Sequence, residues 1–585
     1  MNSRLIKYCL FLIALLVCNS AIGQKVDADD LAPNESIYID INASLIFTGE
    51  YLYYSLYCFD TTAKNFSQLS QMAYVELVGK NGTRVFKHKI KLEKGRGYSD
   101  YFLPVDVQSG NYKLIAYTNW MRNADRSLLG VADISIINPY QANIKSRSIP
   151  STQKTEVSND SITALINENN NSVIDLKFNN QDFKKREKVI MQLRSFSQSI
   201  KDLSGTYSVS VKRKTGIPSP DRIKSVDYFN AMQVSTTELT ILNSDAKLPE
   251  LRGELFKGKI TSNDNASVKQ LKVAISIGEE NKILRIAEVN SKGFFYFYID
   301  GYYYSKEVYM QVLNANTDDY KIELIPKTNL NISEFEFEVL NLQPEWKQNI
   351  IDQSVYNQIE SAYFEFRSDS LFLSSSKNFF KNREFVAYNL DDYTRFKTIK
   401  ETVKEFIKTT SIRKDDEDGE VFEVQGYEFD TKSGIKPLVI LDGIMIDNHS
   451  LIMDYDATAI SEIKVYRDQF VIDLEVFQGA IIISSKDELD SNLFIENSGL
   501  QKVEVLKPEI KKNYYKQQYT EKNKDSRLPD YRQQLLWIPN LEMSKETRKE
   551  IIFYTSDVSG TYEVKLEGMS TNGIPVSIKK YFKVN

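Results

Sequence analysis

The groups with which this chain could do acid–base or nucleophilic chemistry are few: two histidines, a handful of adjacent carboxylates and three cysteines. Two isolated histidines, His88 and His449, cannot build a multi-histidine zinc site, although one could join carboxylates in a mixed site. His88 stands among Lys87, Lys89 and Lys91 and is expected on an exposed strand, while His449 is expected in a loop after Asp442-Gly443. A Ser-His-Asp triad would need one of them, yet no Gly-x-Ser-x-Gly elbow accompanies either, and no Walker loop occurs. The pair Asp391-Asp392 could in principle serve hydrolysis. It reads instead as a helix start, where carboxylates favour the dipole. The acidic run from Lys414 to Glu420 lacks the alternating ligands and distant Glu of a calcium loop and reads as a solvated turn. Cys58 ends the alternating stretch Tyr53-Tyr54-Ser55-Leu56-Tyr57-Cys58, which makes it a small apolar core residue rather than a nucleophile. No catalytic residue, metal site or cofactor is therefore expected.

The elements that would position any site begin after a secretory leader over 1–23. Arg4 and Lys7 precede a short apolar core, Leu10 to Val17, and Ala21-Ile22-Gly23 places cleavage before Gln24. That core is shorter than the roughly 20 residues of a spanning helix. Val17 before Cys18 argues against lipid attachment, and no later stretch is apolar enough to span a bilayer. Cys9 and Cys18 fall in the leader, so Cys58 alone remains and no intramolecular disulfide can form. With 74 Lys and Arg against 79 Asp and Glu, a net of −5, the chain lacks the basic footprint of a nucleic-acid binder. Its 35 Tyr and 31 Phe suit pleated sheets.

The expected fold class is mainly β: tandem β-sandwiches, then an α+β module and a final sandwich. Strand-like runs separated by Thr48-Gly49-Glu50, Lys80-Asn81-Gly82 and Ser109-Gly110-Asn111 make 30–140 a β-sandwich. A polar linker covers 141–171, a second sandwich 172–245 and a third 246–340. Residues 341–384 form a helical connector, with Trp346, Ile350, Tyr356, Ile359 and Tyr363 as its apolar face. Within 385–490, Tyr393, Phe396, Ile399, Val403 and Phe406 have helical spacing, and strand-like runs follow. A C-terminal β-sandwich is expected over 500–585.

Three ordered pieces of 385–490 resemble the plug domain of TonB-dependent outer-membrane receptors. They are Pro437-Leu438-Val439-Ile440-Leu441-Asp442-Gly443, then Ile460-Ser461-Glu462-Ile463-Lys464-Val465, then Phe477-Gln478-Gly479-Ala480-Ile481-Ile482-Ile483. Leu441, Asp442, Gly443, Ile463, Val465, Phe477 and Gly479 carry the motif as structural or interaction residues. About 100 residues follow Lys486, too few for a transporter barrel of about 22 strands of about 9–11 residues each. The first unit is similar to macroglobulin-type modules through Gly49-Glu50 and Gly110-Asn111-Tyr112, so Gly49, Glu50, Gly110 and Tyr112 are its motif residues. The third is similar to macroglobulin-like or carboxypeptidase-regulatory-like sandwiches through Glu250-Leu251-Arg252-Gly253 and the aromatic run after Gly293. Together they resemble large exported proteins of the Bacteroidota that join macroglobulin-like domains to a plug without a barrel. The thioester of protease-trapping macroglobulins needs a Gln three positions after its Cys, but Phe59, Asp60 and Thr61 follow Cys58.

The resemblance implies a non-enzymatic, periplasmic, outer-membrane-associated protein. Its plug-like module would dock on or occlude a barrel or translocon formed by another chain. Two other readings stay open: a surface structural or adhesive protein, since Tyr562 to Val584 faintly resembles the sorting domains of type 9 secretion, and an enzyme such as a glycan hydrolase.

Overall fold

The structure is a computed structural model that describes residues 34–124, 126–141, 174–195, 204–234, 247–264, 267–278, 283–315, 317–372, 379–415, 419–427, 434–487, 500–523, 526–544 and 548–585. The leader, all but the first residue of the 141–171 linker, and the tip of the acidic turn lie outside the described residues.

Alternation dictates the first unit. In Tyr51–Asp60 every second side chain enters the core, and the strand pairs with Glu35–Ile41 on one side and Arg96–Phe102 on the other. The facing sheet runs Leu45–Phe47, Gly130–Ile137, Gly110–Tyr117, Met72–Gly79, Arg84–Lys91. Ile37, Leu52, Leu56, Val75, Leu114 and Ile136 fill the space between. The third unit is likewise a sandwich, with Phe256, Val273, Ile275, Phe295 and Met310 in its core. Leu330, Ile332, Phe335 and Phe337, which follow its last strand, pack on the core of the first unit and bind the two together.

The α+β module over 385–490 is a mixed five-stranded sheet in the order Phe385–Asn389, Ile460–Ile472, Glu475–Ser485, Leu438–Leu441, Ile444–Met445. Leu438–Leu441 is parallel to its neighbour and buried throughout, as expected of a strand covered on both faces. One face carries helix Ile399–Phe406, helix His449–Met453 and the hairpin Thr410–Asp415/Gly419–Val424. The opposite face lies on the third unit, where Leu438, Ile440, Phe477 and Ile482 meet Ala274, Leu284, Ile286 and Leu313. Polar contacts seal this seam: Met445 N–H donates to Ser276 Oγ (3.0 Å), and Ile286 N–H donates to the Asp473 carboxylate (2.7 Å).

Several expectations are corrected. Segments 172–245 and 500–585 are not two sandwiches: strands from 174–213 and 534–584 build one, while Gln501–Glu504 adds a strand to the third unit beside Glu307–Val312. Ile174–Phe178 and Lys188–Ser195 share a sheet with Arg548–Tyr554. Gly205–Arg213 sits between Gln534–Met543 and Gly560–Ser570 in the other. Neither half could cover its own apolar face, and their residues interleave in one core. The helix expected from Tyr393 is Ile399–Phe406, capped where Thr398 Oγ accepts from Glu401 N–H. Asp391 and Asp392 lie in a separate 3-10 turn, Leu390–Asp392. Helix Lys347–Ala362 exists, and Trp346 and Ile350 pack half-buried on the cluster of Leu45 and Phe47, but its fully buried positions are Gln353, Ser354 and Asn357. His88 is buried, not exposed, and His449 opens a helix rather than sitting in a loop.

Candidate functional site

The motif residues singled out in 385–490 fall at a turn, in the core of the module and at its seam with the third unit. Asp442 and Gly443, with φ of 46° and 91°, form the two-residue turn that joins Leu438–Leu441 to Ile444–Met445. Both must adopt left-handed backbone there, which Asp and Gly tolerate best. The Asp442 carboxylate accepts from Ser485 N–H (2.9 Å) and from Ser485 Oγ–H (2.6 Å), fixing the turn to the end of the longest hairpin. Gly479 has φ of 80°, and a Cβ there would lie 2.5 Å from Val424 Cγ1 and 2.8 Å from the Tyr466 carbonyl oxygen. Leu441, Ile463 and Val465 belong to the core under the helices, and Phe477 to the seam with the third unit. These seven residues lie in the turn, core and seam of the module. What the module presents outward is its edge: Phe385–Asn389 pairs only with Ile460–Ile472 among the described strands, and Phe385 and Val386 are 48% and 41% exposed.

Both histidines are structural. His449 Nδ1 accepts the Phe422 N–H (3.2 Å), so the ring is held neutral inside the module. Burial, helped by Lys436 and Arg413, pushes its pKa down to about 3, against a bond to the Pro437 backbone that acts the other way. His88 Nδ1 meets the Tyr54 hydroxyl at 2.8 Å, and burial with the Lys512 charge pushes it down to about 3 as well. Burial also pushes up the thiol of Cys58, which is fully enclosed.

The macroglobulin-type motif residues separate into two places. Tyr112 donates its hydroxyl to the Gln108 carbonyl four residues back (2.8 Å), a tyrosine corner closing the Gly110–Tyr117 strand. Tyr562 repeats the device on Val558 (2.8 Å) in the C-terminal sandwich. Gly49 and Glu50 instead reach the wall of a cavity of about 380 Å³ where the first unit, helix Lys347–Ala362 and the C-terminal sandwich meet.

This cleft is lined by aromatic rings. Tyr51 lies parallel to Phe364 (centroids 5.6 Å apart, 19° between planes) and to Tyr53 (5.7 Å, 24°). Tyr53 meets Tyr514 edge-on at 5.2 Å and Trp537 at 5.8 Å. Its charged groups are paired with one another. Glu50 takes Lys212 Nζ (2.7 Å) and the amides of Gln353 and Asn357. Arg367 clasps both Glu360 oxygens at 2.6 Å, and Arg532 pairs with Asp530 at 2.7 Å. Asp369 accepts the Tyr515 N–H (2.8 Å), and burial raises its pKa. Burial and the carboxylates of Asp100 and Asp369 push the Tyr51 phenol up to about 12. Two lining residues each enclose a polar atom without a hydrogen-bond partner, Trp537 Nε1 and Gln533 Oε1. No sequence motif marks this cleft; sequence reasoning named Gly49-Glu50 and Tyr53 from its lining, each for another reason.

No family model and no curated protein matches the chain. Among solved structures it is similar to a Salmonella alpha-2-macroglobulin reacted with methylamine, at 8% identity and a TM-score of 0.24, over 94% of this chain and 40% of that one. An Escherichia coli alpha-2-macroglobulin activated by porcine elastase gives 8% and 0.24, over 94% and 44%. An Escherichia coli adhesin gives 10% and 0.14, over 53% and 64%. The chain spans about two fifths of the macroglobulins' length, and at such TM-scores the likeness carries no argument about activity. No helix among the described residues is long and apolar enough to cross a membrane. The described residues thus make a mainly β protein of packed sandwiches around one α+β module.

Proposed function

We propose that the chain is an exported, non-enzymatic interaction protein of the cell envelope, whose plug-like module docks on a barrel or translocon formed by another chain in the outer membrane. The observation that carries this reading is the free edge of the module's sheet. Both sheet faces are covered within the chain, by helices on one side and the third unit on the other. Docking therefore falls to Phe385–Asn389, whose outer edge carries no strand among the described residues. Unpaired N–H and C=O groups on such an edge recruit a strand from a partner, with exposed side chains giving specificity. Phe385 and Val386 supply that apolar contact. The buried, neutral histidines and the enclosed thiol fit a protein that works by holding partners. The test is a photo-crosslinking residue at Val386 in the full chain, expressed in its native cells. The expected product is an adduct with an integral outer-membrane protein. Recovery of the chain alone, un-crosslinked and freely soluble, overturns the reading.

A further inference from the structure

We propose that the contact between the first unit and the C-terminal sandwich is a pH-sensitive clasp, closed while Glu567 keeps its proton and loosened when rising pH removes it. The inference is independent of barrel docking. The contact encloses a cluster of charges. Lys565 pairs with Asp40 and also donates to the Ile41 carbonyl, and Arg222 pairs with Glu563 beside them. Asp40, Lys565 and Glu567 are 2%, 4% and 4% exposed. Two cations and two carboxylates cancel, and Glu567 is the fifth group. A negative charge on it would leave the cluster out of balance in a place that water does not reach, which is costly. Lys579, 33% exposed and 3.7 Å from Glu563, stands at the rim beside that pair.

The hydrogen-bond partners of the Glu567 carboxyl are neutral. Oε1 accepts from Ser577 Oγ–H (2.6 Å) on the neighbouring strand Pro575–Val584. Oε2 accepts from the N–H of Ser225 (3.2 Å), the first residue of helix Ser225–Val234. Oε2 also lies 3.3 Å from the Tyr38 hydroxyl of the first unit, which in turn lies 3.2 Å from the Ile223 carbonyl. With Tyr38 donating to Ile223, its oxygen is left to accept the proton of Glu567. The other titratable neighbour is Tyr57 of the first unit, whose hydroxyl donates to the Glu567 backbone carbonyl (3.2 Å). Burial and the Asp40 charge push the Glu567 pKa up, against Lys565 and the bonds from Ser577 and Ser225. A carboxyl raised in this way stabilises the closed contact fully below its ordinary value of 4.5, and that share is lost as pH rises toward the folded value.

The test is hydrogen exchange of the full chain between pH 5 and pH 8.5, read by mass spectrometry and divided by the intrinsic rates. Peptides covering 35–41, 225–234 and 561–569 report on the clasp, and a peptide covering 272–277 in the third unit is the control. The expected result is protection of the clasp peptides, relative to the control, that falls with rising pH by up to about tenfold per pH unit, because opening releases one proton. Glu567→Gln keeps the side chain's shape, cannot ionise, and should remove that fall. Wild-type protection that does not change with pH overturns the clasp, and does so even where the variant fails to fold. An equal fall in the wild type and in Glu567→Gln overturns the assignment to Glu567.

Discussion

Replacing His449 by Asn should flatten the acid side of the stability curve. In the native module Nδ1 accepts the Phe422 N–H, so protonation must break that bond and place a charge in a fully enclosed site. The folded pKa of about 3 lies below the ordinary value of 6.5. Between these values the unfolded chain binds the proton and the folded one does not, so stability declines as pH drops through 6.5, and this residue's share of the decline ends near the folded pKa. One pKa unit is worth about 1.4 kcal/mol, so at pH 5 the loss from this residue is about 2 kcal/mol. Asn places an amide oxygen where Nδ1 stands and does not titrate, which preserves the acceptor. His88 shifts in the same direction but is common to both proteins, so it cancels from the difference. Urea unfolding of the full chain at pH 7.5 and pH 5 measures the slopes. With only two histidines, ¹³C-histidine labelling also resolves each ring by NMR. A His449 signal titrating near 6.5, or equal pH slopes in the two proteins, would refute the reasoning.

Gly479→Ala should destabilise the module by about 2–5 kcal/mol, combining left-handed strain with the clash on Val424, and Val424→Ala should restore part of it in denaturant titrations. Asp40→Asn should cost about 3–5 kcal/mol in the same assay, because Lys565 is buried against Asp40 between the first unit and the C-terminal sandwich. Replacing both partners by apolar residues should cost far less. Cys58 should resist thiol reagents in native buffer and react fully only in denaturant, as its burial and raised pKa require.

Local chemistry was legible wherever a segment's own pattern decides its structure. Tyr51–Asp60 and Leu438–Leu441 can be read directly, one from alternation and the other from a short run of β-branched and aliphatic residues. The pattern Thr398-Ile399-Lys400-Glu401 marks the start of helix Ile399–Phe406, a signal that the sequence reading, led by the spacing of Tyr393 and Phe396, did not use. Tyr393 is instead stacked on Phe406 at 4.4 Å from outside the helix. The polar inner face of Lys347–Ala362 could not be read, because its partners Glu50 and Gln533 come from distant parts of the chain. The cleft was hidden for the same reason: Tyr51, Phe364 and Trp537 share no periodicity and meet only through tertiary packing.

The shared sandwich has a consequence for how the chain matures. Gly205 faces Met543 on one side and Ser570 on the other, so the early strands of each sheet are synthesised more than half a chain before their complement. Contacts of such sequence separation form slowly, since a long loop must close before they repay its entropy. Until then Val209 and Leu193 have no cover, and the open strands invite pairing with other copies. Everything from Lys214 to Gln533 is an insertion nested inside this one fold. A chain that crosses a membrane as an extended thread would deliver both halves to the same side before either commits. Loss of Pro575–Val584 alone would leave Gly560–Ser570 exposed as a new edge at the very place where the early and late segments are clasped.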